Sequence, residues 1–254
     1  MFPVSLTSVR VLITRPAEQS QAWAHLFRSA GAEPVLFPTV TIGPPTSWAP
    51  LDDCLAHLER YDWLVFSSAA AVRHTLGRLT DRTSLQHKRV AAVGDATANA
   101  LSTQGVRVDL IPSQGADQNG QGLAQALAPL ATGTRVLFPQ AIGGRPELRD
   151  ALVANGCSVH VVAASQTLAV SPLPPVPTFD VATFASPSAL LAMVDAAGLS
   201  TLANQPMAVL GKTTAAAAQK LGMHPEVATA PRGEDMVLAV SRALGAWRSR
   251  HSSP

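Results

Sequence analysis

Two pairs of segments carry the residue types best suited to chemistry. VAAVGDATANAL (90–101) and MAVLGKTTAAAA (207–218) each pass from an apolar run through Gly to Thr-Ala, and DWLVFSSAAAV (62–72) and DVATFASPSAL (180–190) each pass through Ser into a run of small residues. In each, a strand ends and a helix opens, which leaves the first amides of the helix unpaired and the positive end of its dipole outward. Such ends hold anions without requiring net charge. Ser67, Ser68, Thr97, Ser186 and Thr214 stand at them, and ordinary N-capping is the competing use of the same hydroxyls.

Other chemistries find no support. Gly211-Lys212-Thr213 looks like the end of a phosphate loop, but that loop needs a glycine where Pro206 stands. No GxGxxG follows a strand, no GxSxG or HExxH occurs, and the seven histidines are scattered, so neither a metal nor a dinucleotide cofactor is expected. Nineteen Lys and Arg against 17 Asp and Glu give a net charge of only +2, without basic runs, which argues against nucleic acid or an anionic membrane as partner. Cys54 and Cys157 are too few for a disulfide framework and belong to no zinc-spaced cluster. The start MFPVSLTSVRVLITRP has no basic region followed by an apolar core, and nowhere do 18 apolar residues run together. The expectation is a soluble, cytoplasmic protein.

The elements that must position these residues alternate. Val9–Thr14 reads as a strand, Ala22, Leu26, Phe27 and Ala30 recur at helical spacing until Gly31, and Pro34–Ile42 reads as a second strand. The same grammar returns at Trp63–Phe66 and Val90–Val93, which predicts an α/β protein with parallel sheets flanked by helices. The chain also repeats itself. Arg10-Val-Leu and Gly31 match Arg135-Val-Leu and Gly156 at an offset of 125; Asp62, Phe66 and Ser68 match Asp180, Phe184 and Ser186 at 118; Gly94, Thr97, Ala98 and Gly105 match Gly211, Thr214, Ala215 and Gly222 at 117. Two similar α/β lobes are therefore expected. Loops are expected at Gly43–Pro50, Ser113–Gly122 and Ser171–Thr178, the middle one as a surface loop or flap. Ligands of open α/β sheets sit beyond the carboxyl ends of the strands, so two facing lobes would make a cleft suited to a polyanionic small molecule.

The segments Val11–Pro16, Asp62–Val72, Val90–Leu101, Arg135–Gly156, Asp180–Leu190, Ala208–Gly222 and Pro231–Val240 together resemble the uroporphyrinogen-III synthase family in order and spacing. The resemblance implies a discontinuous lobe of residues 1–40 and 168–254, a second of 44–160, and two extended crossings at 37–43 and 159–167. It implies a cytoplasmic, monomeric lyase of tetrapyrrole biosynthesis that cyclises hydroxymethylbilane without metal or cofactor. Loss of the terminal hydroxyl gives an azafulvene, ring D attacks through its substituted carbon to a spiro centre, and reclosure delivers the type III macrocycle, whereas uncatalysed closure gives type I. Backbone amides with Ser and Thr hydroxyls suit the eight carboxylates of that substrate. The resemblance then makes Thr214, Ser68, Ser186 and Thr97 carboxylate contacts and Arg15 a further anchor. One departure stands out: where family members usually carry a tyrosine thought to help the hydroxyl leave, this chain has Ser165, and its only tyrosine, Tyr61, reads as structural. Ala70 stands where the family often has Asn. The departures favour, as the alternative, a non-catalytic two-lobed tetrapyrrole- or solute-binding protein.

Overall fold

The computed structural model describes residues 5–113 and 118–251. The chain runs through β1 (Arg10–Ile13), α1 (Ala17–Ser29), β2 (Glu33–Leu36), β3 (Val40–Gly43), α2 (Ala49–Ala56), β4 (Trp63–Phe66), α3 (Ala69–Arg78), β5 (Arg89–Ala92) and α4 (Asp95–Thr103). It continues through α5 (Gly120–Ala131), β6 (Arg135–Ala141), α6 (Glu147–Ala154), β7 (Ser158–Ala169), β8 (Val181–Phe184), α7 (Pro187–Ala197), α8 (Ser200–Ala203), β9 (Met207–Val209), α9 (Lys212–Lys220), β10 (Glu226–Val227) and α10 (Gly233–His251). The strands are short apolar runs such as WLVF and VATF, buried at every position, as strands covered on both faces must be.

Among the described residues these strands form two sheets of order β10-β9-β8-β1-β2 and β3-β7-β6-β4-β5. The pairs β1–β2, β1–β8, β8–β9, β4–β5, β4–β6 and β6–β7 are parallel. The chain divides into two compact units, Met1–Thr41 with Leu168–Pro254, and Ile42–Thr167. In the first unit, Val11 and Ile13 face a core with Trp23, Phe27 and Val240 of α1 and α10, while Leu12 faces Leu190 and Ala218 of α7 and α9. In the second, Leu64 and Phe66 pack on Leu51, Leu76 and Leu101 of α2, α3 and α4, while Trp63 and Val65 pack on Leu127 and Leu152 of α5 and α6. Each such side chain contributes about 1.5–3 kcal/mol on burial. This is an α/β architecture of two parallel-dominated sheets flanked by helices, as the alternation predicts.

The offsets of 125, 118 and 117 lay β1 over β6, β8 over β4 and β9 over β5, and β9-β8-β1-β2 then follows the same order as β5-β4-β6-β7. The pairing of β10 with β9 has its counterpart in the parallel bridge between Ala91 and Leu110. Gly31 (φ +84°) and Gly156 (φ +81°) end α1 and α6 in the left-handed conformation that glycine adopts at least cost. At the entry of each sheet an Asp clasps the neighbouring strand: Asp180 accepts from the Arg10 amide at 2.7 Å, and Asp62 from the Arg135 amide at 2.8 Å.

Pro34–Ile42 is not one strand but two, β2 and β3, in different sheets. The ladder to β1 is regular up to Phe37, whose amide donates to the Ile13 carbonyl at 2.9 Å; the Thr39 amide then donates to the Thr14 carbonyl at 3.2 Å instead of keeping the two-residue step, and the chain passes on to the other sheet. The core face of α1 is Ser20, Trp23, Ala24 and Phe27, and Ala22 is exposed. Of the segments expected as crossings, residues 40–43 form β3 and residues 159–167 lie in β7, neighbours in one sheet. Of the expected loop Ser113–Gly122, residues 114–117 lie outside the described residues, and its end is helical because Asn119 caps α5 through the amides of Gln121 and Gly122. The segment Ser171–Thr178 has no regular structure. No helix among the described residues is long and apolar enough to cross a membrane.

Candidate functional site

Each unit gathers its candidate residues along the carboxyl edge of its own sheet. Ser68 and Thr97 follow the adjacent strands β4 and β5, and Ser186 and Thr214 follow the adjacent strands β8 and β9. The edges are locked alike, by Val93 N to Phe66 O at 3.0 Å and Leu210 N to Phe184 O at 3.0 Å. Arg15 follows β1, the neighbour of β8.

The four hydroxyl residues divide into two kinds. Ser68 and Ser186 are N-caps: Ser68 Oγ accepts from Ala71 N at 3.1 Å, and Ser186 Oγ from Ala189 N at 3.3 Å. Capping uses the oxygen as acceptor, which leaves the Ser68 hydroxyl proton free to donate, whereas the Ser186 hydroxyl also pairs with that of Ser188 at 3.0 Å. Thr97 and Thr214 are not caps. The caps of α4 and α9 are Gly94 and Gly211, neither with a side chain to offer, and each Thr sits three residues further on. Thr97 is 4% exposed and Thr214 2%. Buried hydroxyls normally find partners, as Thr14 and Thr183 do on the carbonyls of Thr183 and Leu12 at 2.8 and 2.7 Å. No hydrogen bond to the Thr97 or Thr214 hydroxyl is present among the described residues, and neither oxygen is among the fully enclosed atoms without a partner. The little surface each Thr keeps therefore includes its hydroxyl. The two helix ends differ in one respect: Gln118 Oε1 lies 3.3 Å from the first amide of α4, and α9 has no counterpart among the described residues.

The Arg15 guanidinium lies over the Trp23 ring, 4.5 Å from its centroid, and its Nη2 donates to Gln19 Oε1 at 2.9 Å. Its Nε is buried with no partner. Burial lowers the Arg15 pKa from its ordinary value, yet the group stays a cation at neutral pH.

The second unit holds a cavity of about 460 Å³ at its carboxyl edge. Val93, Phe138 and Leu148 supply an apolar floor, and Ser68, Gln140 and Arg145 are among the polar residues around it. Sequence reasoning found Ser68 but not Gln140 or Arg145. The signal was in the repeat: the offset of 125 lays Arg15 over Gln140 and Trp23 over Leu148, smaller or neutral residues that leave room.

Ser165 lies in β7, in register with Ala141 beside a β-bulge, and is 1% exposed; its carbonyl accepts from Ile142 N at 2.8 Å. Tyr61 is buried, and its phenol lies 2.5 Å from His160 Nδ1. Burial, and then the neighbouring Cys54, push that phenol's pKa up, so it stays protonated. No cluster of three or more His, Cys, Asp or Glu that could hold a metal is present among the described residues.

Comparison with known proteins gives these edges a context. Residues 21–237 match the family described as uroporphyrinogen-III synthase HemD. A protein of Synechococcus elongatus named uroporphyrinogen-III synthase is 36% identical over 172 residues, 65% of this chain and 62% of that protein, so the match spans less than two thirds of that relative's length. One of the same name from Chlorobaculum parvum is 27% identical over 232 residues, covering 85% of this chain and 91% of that one. The crystal structure of uroporphyrinogen-III synthetase from Helicobacter pylori superposes with a TM-score of 0.60 at 17% identity, over 94% of this chain and 100% of that one, a likeness of fold.

Proposed function

We propose that this chain, which belongs to the uroporphyrinogen-III synthase family, cyclises hydroxymethylbilane to uroporphyrinogen III with loss of water, as a cytoplasmic monomer that needs neither metal nor cofactor. The observation that carries the reading is the matched pair Thr97 and Thr214, two hydroxyls without an intramolecular partner among the described residues, at the same position of two helices that follow adjacent-strand edges. Such donors, with the amides beside them, hold carboxylates without a high density of positive charge. Ser68 adds a free hydroxyl proton, Ser186 a hydroxyl shared with that of Ser188, and Arg15 one guanidinium with an unpaired Nε.

The chemistry asked of these residues is restraint. A bilane held by its carboxylate arms keeps the conformer in which ring D attacks through its substituted carbon, and exclusion of water protects the reactive cation. No dedicated base is required by this account, which suits a chain with Ser165 in the place of the family tyrosine. Ser165 is assigned at most a hydrogen bond to the departing hydroxyl, since a hydroxymethyl side chain lacks the reach of a phenol.

The test is to supply hydroxymethylbilane to the purified chain and separate the product isomers. The expected result is predominantly type III formed faster than spontaneous closure. A product no different from the spontaneous type I overturns the reading, and tight binding of the bilane without turnover would make the chain a binding protein.

A further inference from the structure

The cavity of the second unit has an occupant written into its walls. In the first unit the space beside the strand end is filled: Arg15 stacks on Trp23, and a Cβ on Gly233 would meet Leu26 Cδ1 at 2.4 Å and Trp23 Cδ1 at 3.3 Å. In the second unit the positions 125 residues on are Gln140 and Leu148, and Gly120 opens α5 against Leu148 as Gly233 opens α10 against Trp23: a Cβ on Gly120 would meet Leu148 Cβ at 3.2 Å. The frame is the same, but an indole has become an isobutyl group and a cation has become an amide. What is left is the cavity of about 460 Å³, within the size range of small-ligand pockets, about 300–1,000 Å³.

The charge lost at Gln140 returns from the loop five residues later. Arg145 lines the cavity and is exposed, and no hydrogen bond or ion pair of its guanidinium is present among the described residues. Its departure from the backbone is fixed by Gly144, where a Cβ would stand 2.6 Å from Gln140 Oε1 and 2.9 Å from the Ala141 carbonyl. Glu147 puts a negative charge on the same rim. A carboxylate is therefore accommodated on the Arg145 side only. Floor and rim together match a flat, electron-rich ring bearing a carboxylate on a short arm.

We propose that this cavity seats one pyrrole ring of the linear substrate, the ring resting on Phe138 and Leu148 and one carboxylate arm pairing with the Arg145 guanidinium. The assignment rests on the synthase reading above. Arg145 thereby does in the second unit what Arg15 does in the first, from a different place in the sequence.

Steady-state kinetics with hydroxymethylbilane and a titration with a monopyrrole carrying one acetate and one propionate arm test it. Arg145→Gln should raise KM about tenfold with kcat within about twofold, because a guanidinium–carboxylate pair at a half-open rim is strong but partly screened. Arg145→Lys should recover part of the loss, and Arg149→Gln, which removes an arginine outside the cavity, should match the parent. In ¹⁵N-labelled protein the monopyrrole should shift the amides of Ser68, Gly120 and Gly144, and should fail to do so in Arg145→Gln. A KM unchanged in Arg145→Gln, or unshifted cavity amides in the parent, overturns the proposal. A parent chain that shows the amide shifts but no turnover would defeat the synthase reading and uphold the cavity as a pyrrole site.

Discussion

The two units build the same strand-end frame and finish it differently. In the first, Trp23 and Arg15 close the space between α1, α10 and β1; in the second, Leu148 and Gln140 leave a cavity between α5, α6 and β6. What stays the same are residues that set the backbone: Gly31 and Gly156 at helix ends, Gly94 and Gly211 as caps, Ser68 and Ser186 on the first turn, and Asp62 and Asp180 at strand entry. What differs are the side chains that look out from the finished edge. A repeated fold can thus keep its folding instructions while its two edges take on separate tasks.

The largest effect expected from breaking this comparison is on stability. Trp23→Ala should cost about 3–4 kcal/mol and Leu148→Ala about 2, because Leu148 already borders empty space and loses fewer contacts. Urea denaturation midpoints read the difference, and equal losses would mean that the two spaces are packed alike. The strand clasps come next. Asp180 holds both the Arg10 amide and the Arg10 guanidinium, with Nη2 at 2.9 Å from Oδ1, whereas the bond found for the Asp62 carboxylate is to the Arg135 amide. Asp180→Ala should therefore cost about 1 kcal/mol, a figure discounted for a pair more than a third exposed, and Asp62→Ala less.

Arg10 holds the Asp180 carboxyl below its ordinary value, first by hydrogen bonding. A depressed folded pKa adds stability that is full above the unfolded value of about 4 and disappears as pH falls through the folded value. The gap between Asp180→Ala and the parent should accordingly be open at neutral pH and close in strong acid; a gap that persists there would remove the ion pair from the account. The smallest effect is a null difference: Ser68→Ala and Ser186→Ala should each lose about 1 kcal/mol, equally, since both cap the same turn.

Much of this was legible before the structure. Strand, Ser or Gly, and small-residue helix are local signals, and Thr97 and Thr214 were found because the repeat places them in register. The break after Phe37 has no local signal, because Val35–Phe37 and Val40–Ile42 are both apolar or β-branched runs suited to a strand, and only the sheets show that the two halves pair with different partners. The spacing of Ala22, Leu26, Phe27 and Ala30 points off the true core face of α1, which is Ser20, Trp23, Ala24 and Phe27, because small residues carry little directional information. Arg145 escaped because its role depends on the absence of bulk at Leu148, 3 residues away in sequence but set by packing against α5. An empty space has no sequence signature of its own.

The central claim is that hydroxyls left unpartnered by the fold are spent on the substrate. It is tested most directly by kcat/KM for hydroxymethylbilane in Thr97→Val and Thr214→Val, which remove the hydroxyl and keep the volume. Both variants should fold with stability within about 0.5 kcal/mol of the parent, since no internal bond is lost, and both should drop about tenfold in kcat/KM. Two stable variants with undiminished kcat/KM would contradict the account.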